Sequence, residues 1–411
     1  MLFGPSGVRK RQAGESLASV CRHQLPACKV QYLDVADFLS VSTHLLLDYT
    51  PKEQQDEVTQ AIARLAVSLK RANLNIIGLH ASHLSYGIPV FPCSAEAVSV
   101  LGPHLFITLL DDVYACRARL AGDGYPYSCY LLLNWRVMEC GVADHLASAC
   151  KVENIYLAAK HPRMTAYRLL FEPRMPRLYS ASQITAVRDD PQLRQEIEQH
   201  RRRLHQQFVV FDPLTTDDRV LVNSLPKEPR GTSITIGTEA RWPCDLSDLG
   251  EDYACLVAEN GSLFPFQIDV REAIELSTPL ERRSFRSPID AQITQRDFRY
   301  IDQSDVVSAY RPRLNGHESS GVAAEKRYAA GTGKRPVVEY STQDDLDKFY
   351  HETESRPFST PLLGPACTTP DQFYGKLAEI AKRESARRYG QRRRSYARFE
   401  AFRDAFARPR K

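Results

Sequence analysis

Four short apolar runs recur along the first 170 residues: Val30–Val35, Leu74–Leu79, Leu105–Leu110 and Asn154–Ala158. Each has the length of a buried strand. Polar stretches with helical spacing separate them, at Gln12–His23, Lys52–Ala72 and Ser128–Ala149. In the second of these, Val58, Ile62, Leu65, Ala66 and Leu69 keep a 3.6-residue period. Alternating strands and helices predict a parallel sheet with helices on its faces. Much later, Val306, Val307, Ala309 and Tyr310 form another short strand. The loop Arg311–Ser320, with Pro312, Asn315 and Gly316, is expected to be exposed. Gly321 then opens an alanine-rich helical segment. Glu325 is thereby predicted in the first turn of a helix just past a strand, where open α/β sheets bind ligands.

Between these regions the pattern is less regular. Residues 159–176, with Pro162, Pro173 and Pro176, read as a connector. Asp190–Gln207 predicts an amphipathic helix between strands Leu178–Tyr179 and Phe208–Phe211. Within 214–295, Ser233–Gly237 reads as a strand and Gly250–Ala258 as a strand or short helix, with no function attached. Gln372–Ala407 predicts a long helix with Tyr389, Tyr396, Phe399, Phe402 and Phe406 near one face.

Several pieces fall in a telling order. They are Arg177-Leu178-Tyr179-Ser180-Ala181-Ser182; Phe208–Pro213; Asp297-x-x-x-Ile301; Ser304-Asp305-Val306-Val307; Ser319-Ser320-Gly321-Val322-x-x-Glu325; and Gly333-Lys334-x-Pro336-Val337-Val338. Together they resemble nucleoside 2-deoxyribosyltransferases and related N-glycosidases over roughly residues 175–345. The resemblance implies a flavodoxin-like parallel sheet with Glu325 as the nucleophile that attacks the anomeric carbon. A glycosyl-enzyme ester would form and be resolved with net retention. Asp297 matches an aspartate that handles the nucleobase proton, and Tyr179 an aromatic wall of the pocket. Ser180, Asp305, Ser319 and Gly321 fall at substrate-binding positions. Ser319 stands where the transferases usually carry aspartate, which favours hydrolysis or another substrate over base-to-base transfer. The distance from Pro213 to Asp297 implies an insertion at about 214–295. A plainer reading stands beside this one. A glutamate in a first helical turn is favourable with the helix dipole alone. Asp297 and Asp302 also read as caps or turn residues, and Asp305 as a solvated strand-end charge.

The N-terminal third, 1–170, resembles a P-loop nucleotide kinase with a degraded site. Leu2-Phe3 precede Gly4-Pro-Ser-Gly7-Val-Arg9-Lys10-Arg11. Gly4 and Lys10 keep the phosphate-loop spacing. Arg9 replaces the second glycine, and Arg11 the hydroxyl residue that would hold magnesium. Asp111 and Asp112 sit where a magnesium-side acidic pair would. A nucleotide bound through Gly4, Gly7, Lys10, Asp111 and Asp112 remains open, whereas phosphoryl transfer is not expected. His80 and His83 lack an evident third metal ligand and read as polar packing. Arg117 and Arg119 read as solvated loop charges, with phosphate contact as the alternative.

Composition narrows the classes. The chain of 411 residues is 43% hydrophobic and 25% charged, the balance of a globular protein with two or three domains. No run of 18 uncharged apolar residues predicts a membrane span. No secretory signal is evident at the N-terminus. The ten cysteines include no C-x-x-C pair and read as reduced core residues. The cytoplasm is the expected location. The net charge of +4 is uneven: residues 376–411 carry +9 and the rest −5. The basic tail, 346–411, reads as an aromatic stripe docked on the body with its arginines in solvent; a nucleic-acid arm is the less favoured alternative.

The expected architecture is therefore α/β: two parallel-sheet domains, 1–170 and 175–345, plus a helical tail. The leading functional expectation is an N-glycosidase or deoxyribosyltransferase-like enzyme acting on a nucleoside, nucleotide or NAD. By analogy with the family it would be a regulated, toxin-like effector of bacterial conflict or antiviral defence. Glycosidic cleavage would need no cofactor. The competing expectation is a non-catalytic nucleotide sensor or scaffold. A homo-oligomer stays open.

Overall fold

The computed structural model describes residues 1–125, 127–183, 190–216, 286–353 and 366–407, with positions 218, 219, 221 and 284 between them. The segments Ser233–Gly237 and Gly250–Ala258 lie outside the described residues.

Two parallel sheets organise the chain. The first contains β1 (Leu2–Phe3), β2 (Val30–Asp34), β3 (Leu74–Gly78), β6 (Phe106–Leu110) and β7 (Asn154–Ala158), in the order β2-β3-β1-β6-β7. A small antiparallel hairpin, β4 (His83–Ser85) and β5 (Ile88–Val90), follows β3. The second sheet contains β8 (Arg177–Ser182), β9 (Val209–Phe211), β10 (Val306–Tyr310) and β13 (Val337–Tyr340), in the order β13-β10-β8-β9. A parallel bridge from Tyr340 to Cys367 extends it at one edge. Between β10 and β13 the hairpin β11 (Arg313–Leu314) and β12 (His317–Glu318) folds back on itself.

The helices that matter most to the site are α1 (Lys10–Gln24), α5 (Val113–Gly122), α6 (Cys129–Cys150), α7 (Arg163–Phe171), α8 (Pro191–Gln207), α9 (Arg286–Gln303), α10 (Ser320–Ala330) and α12 (Pro370–Phe406). Local chemistry explains several ends. Pro191 and Pro370 each stand in a first turn, and Asp190 and Thr369 accept from the exposed amides. The remaining helices are α2 (Thr43–Leu46), α3 (Pro51–Ser68), α4 (Ala95–Ser99) and α11 (Gln343–Thr353). In α3, Thr50 and Glu53 form a reciprocal capping box. Residues 159–176 lead from the first sheet to the second, and their prolines bracket the helix α7.

Period-two alternation divides the second sheet into two faces. Tyr179, Ala181, Val209, Phe211 and Val307 join a core that continues through α7 and α1 to Leu2, Ile107 and Ile155 of the first sheet. Leu178, Val210, Val306 and Val338 pack on the other face, with α8 and the start of α12. The opposite face of the first sheet carries its own core, with Phe3, Ile77 and Phe106 against Val58, Ile62 and Leu146.

The tail helix crosses both sheets. Tyr396 is fully buried, and Phe399, Phe402 and Phe406 pack against the shared core. The Tyr396 hydroxyl donates to Glu153 Oε2 at 2.8 Å, and the Arg177 guanidinium lies over its ring at 5.0 Å. Arg392, expected in solvent, instead pairs with the fully buried Asp305. The side chains of Arg393 and Arg394 lie outside the described residues. Among the described residues, no helix is long and apolar enough to cross a membrane.

Candidate active site

α9 supplies the centre of the site. Ile289, Ile293, Tyr300 and Ile301 keep helical spacing on its packed side. Arg296 and Asp297 fall on that buried part of the helix, 8% and 5% exposed. Asp297 is thus an interior helical residue and not a cap. The two side chains pair internally: Arg296 Nε donates to Asp297 Oδ1 at 3.0 Å, and Nη2 lies 2.9 Å from the same oxygen. Nη1 of Arg296 donates to the carbonyl of Thr216.

Tyr179 reaches the same place from β8, where it is paired in register with Val307 and Phe211. Glu325 arrives from α10. It lies in the second turn and not the first, and no acidic residue occupies the first turn. The helix dipole falls off within that first turn, so it does not explain this glutamate. Glu325 Oε2 has no solvent contact and no hydrogen-bond partner. The hydroxyls of Tyr179 and Tyr300 are buried and unpartnered as well. Tyr179 interacts with the Glu325 carboxyl, but the two do not meet hydrogen-bond geometry.

The electrostatics follow from burial. Burial pushes the Glu325 carboxyl well above the usual range, and the neighbouring Asp297 charge pushes it further; Tyr179 and Arg296 oppose this. Burial raises Asp297 too, but its Arg296 partner pulls it back. Burial, Asp297 and Glu325 together hold the Tyr179 phenol far above its ordinary value. Of the two carboxyl groups, Glu325 is therefore the one more strongly biased toward its protonated form.

The other residues expected near the substrate stand elsewhere. Ser180 points to the opposite face, level with Ser308, whose Oγ lies 3.3 Å from His200 Nε2. Asp305 lies at the amino edge of β10, accepting from the Arg177 amide at 2.9 Å and paired with Arg392. Ser319 precedes α10 but its side chain caps nothing, and Gly321 is exposed, where an added Cβ would lie 3.7 Å from Ser319 Oγ, an ordinary contact. The sequence reading missed Arg296 and Tyr300 as site residues. The available signal was an apolar helical stripe interrupted by an Arg-Asp pair.

The loop expected to be exposed is partly buried. Arg313 is fully buried and pairs with Glu339 and, at 3.3 Å, with Glu318. Lys326 bridges the same two carboxylates, at 2.6 Å from Glu318.

In the first sheet, a glycine-containing loop joins β1 to α1. Gly4 and Gly7 take φ of 148° and 82°. A Cβ on Gly7 would lie 2.8 Å from the Cys116 carbonyl oxygen. Arg9 also adopts the left-handed region, at φ 59°, where glycine is the usual residue. The expected ligand-binding groups are already engaged internally. The Gly4 amide donates to Glu139 at 3.1 Å, and Lys10 Nζ to the Gly4 carbonyl at 3.4 Å. Asp111 pairs with Arg119 at 2.5 Å, and Asp112 with Lys160. Arg117 and Arg119 lie in α5; Arg117 is buried, which corrects their reading as solvated loop charges. A cavity of about 990 Å³ opens before the loop, with Gly7, Arg9, Lys10 and His80 in its wall. Gly4, Asp111 and Asp112 do not line it. His83 Nε2 is hydrogen-bonded to Gln54, and no metal-binding group of three or more His, Cys, Asp or Glu residues forms among the described residues.

No protein-family model matches the chain, and no curated protein matches it.

Proposed function

We propose that this protein cleaves an N-glycosidic bond of a nucleoside, nucleotide or NAD, with Glu325 as nucleophile and Asp297 as the proton-handling partner. One observation carries the reading: Tyr179, Asp297 and Glu325, from β8, α9 and α10, meet in one interior cluster, where Asp297 acts on both other groups and the Tyr179 hydroxyl and Glu325 Oε2 have no hydrogen-bond partner. Two neighbouring carboxyl groups in the interior supply what such a reaction needs, one acid and one nucleophile. In the reactive form Glu325 is ionised and Asp297 carries the proton. The Glu325 carboxylate then attacks the anomeric carbon, the C–N bond breaks, and Asp297 gives its proton to the departing base. Water, deprotonated by Asp297, resolves the ester. Glu325 Oε2 is closed to solvent, while the residue as a whole is half-buried.

The finer fold assignment belongs to the same proposal. Numbered within itself, the second sheet reads 2-1-3-4 from the β9 edge, in keeping with a flavodoxin-like order. The first carries a glycine loop after its central strand, in keeping with a degraded P-loop kinase unit. The domain limits 1–170 and 175–345 and the tail 346–411 follow from that division.

A second reading, a non-catalytic nucleotide-binding scaffold, is favoured by the closed state of the carboxylate pair and by the large cavity at the glycine loop. Incubation of the pure protein with nucleosides, nucleoside phosphates and NAD, followed by chromatography for free base, separates the two. Release of base that is lost in Glu325→Gln supports the enzyme. Tight nucleotide binding with no release from any member of the panel supports the scaffold.

A further inference from the structure

A second, smaller cavity of about 300 Å³ lies between α6 and α9. That is the lower end of small-molecule sites, which run from about 300 to 1,000 Å³. It is not the space around the carboxylate pair. Gln292, Arg296 and Arg299 follow one another along a single face of α9 toward this cavity, while Asp297 turns away toward Tyr179. Arg296 is the one residue that belongs to both places.

Three guanidinium groups line the cavity: Arg136 from α6, and Arg296 and Arg299 from α9. The side chains of Arg136 and Arg296 are only 10% and 9% exposed. Each of the three is oriented by a carboxylate. Arg136 Nη1 lies 2.7 Å from Asp218 Oδ2, and its Nε donates to Gln292 Oε1 at 2.9 Å. Arg296 is held by Asp297. Arg299 Nη2 donates to Asp144 Oδ1 at 2.9 Å and to the Asn154 carbonyl at 3.0 Å, and its Cζ stands 4.8 Å from the centre of the Tyr156 ring. The Nε of Arg299 is buried and makes no hydrogen bond. Among the described lining residues, Asp218 is the single carboxylate.

Guanidinium groups stay charged at any working pH and present planar forks suited to phosphate oxygens. Groups fixed in place by partners lose little further freedom when a ligand arrives. A buried N–H without an acceptor is a group whose desolvation is not yet compensated. We infer that this cavity binds a phosphate-type oxyanion, either free phosphate or the phosphate of a pentose ester. The anion site rests on the cavity's own residues and does not need the glycosidic reaction.

Calorimetric titration of the full chain with inorganic phosphate and, separately, ribose 5-phosphate tests this. Wild type is expected to bind at least one of them at millimolar concentration. Arg299→Gln, at a partly exposed side chain, should weaken that binding roughly tenfold or more, the loss of a charge-assisted contact. Arg299→Lys keeps the charge but loses the fork, and should also weaken it. Glu325→Gln should bind as wild type does, so the anion site stands or falls apart from the proposed reaction. Tighter binding of the ester identifies a phosphomonoester as the source; equal or tighter binding of inorganic phosphate identifies the free anion. Binding of neither compound by wild type, or undiminished affinity in Arg299→Gln, overturns the inference.

Discussion

Glu325 and Lys326 are neighbours on one helix, and they live in opposite kinds of surroundings. Lys326 belongs to a buried set of two cations and two anions, with Arg313, Glu318 and Glu339. Every carboxylate there has two cationic partners. Glu325 faces a second carboxyl group, the unpartnered Tyr179 hydroxyl interacts with it, and its own Oε2 bonds nothing. Buried polar groups are nearly always satisfied, so those left unsatisfied call for an explanation such as a catalytic role. The balanced set holds the β11–β12 hairpin to α10 and β13. The unbalanced one stores an electrostatic penalty that only a reaction or a ligand would justify.

The sharpest way to break this comparison is Glu325→Gln. An amide of the same shape cannot attack the anomeric carbon, so base release should fall by roughly a thousandfold or more while the circular dichroism spectrum is unchanged. Release at the wild-type rate would remove Glu325 from the chemistry. In the balanced network the largest effect should fall on stability. Lys326→Met strands Glu318 and Glu339 beside a single arginine and should cost about 3–5 kcal/mol in urea unfolding, the usual penalty for breaking a buried pair. A loss under about 1 kcal/mol would mean the network is dispensable.

Arg392→Gln sharpens the contrast at a third buried charge. Asp305 would keep the Arg177 amide and Arg388 at 4.0 Å, so the expected loss is smaller, on the order of 2 kcal/mol. An unchanged melting temperature would return Arg392 to the status of a solvated tail charge.

The smallest effect is a pH dependence whose sign discriminates. The Glu325 carboxyl is raised in the folded state. Above the ordinary carboxylate range the unfolded chain has released this proton and the folded chain has not, so stability falls as pH rises toward the raised value. Glu325→Gln removes that penalty. The variant should melt higher than wild type at about pH 8, by about 1 kcal/mol, with the gap closing toward about pH 4. A variant that is less stable at both would show that Glu325 is a satisfied structural group. The proposed reaction predicts that base release falls at low pH, where both carboxyls are protonated, and at high pH, where both are ionised.

The long strands of the first sheet are legible because burial on both faces writes a continuous apolar run: Asn154–Ala158 matches residue for residue, and Val30–Val35, Leu74–Leu79 and Leu105–Leu110 to within one residue at an end; β8 runs three residues past the expected Leu178–Tyr179, and the short hairpin strands β4, β5, β11 and β12 carry no such run. Of the helices, α7 was hidden by flanking prolines. α9 was hidden because its buried face carries Arg296 and Asp297, which break the apolar stripe that reveals an amphipathic helix. The site was legible in part. Tyr179, Asp297 and Glu325 converge, whereas Ser180, one residue from Tyr179, points the other way because strand side chains alternate. The arginines resisted reading altogether. Arg313 and Arg392 look like surface residues in sequence, and only tertiary pairing with Glu339 and Asp305 makes their burial tolerable.

The crossing of α12 over both sheets has a consequence for how the protein is made. In sequence this helix follows every strand of both sheets, so all of them leave the ribosome before it does. At about 5–20 residues per second, translation leaves the emerging body without its closing helix for several seconds. During that interval Asp305 lacks Arg392, Arg177 lacks the Tyr396 ring, and the apolar surface that will take Phe399 and Phe402 is open to water. The nascent chain is then most exposed to chaperones and to aggregation, at the seam where its two sheets will join.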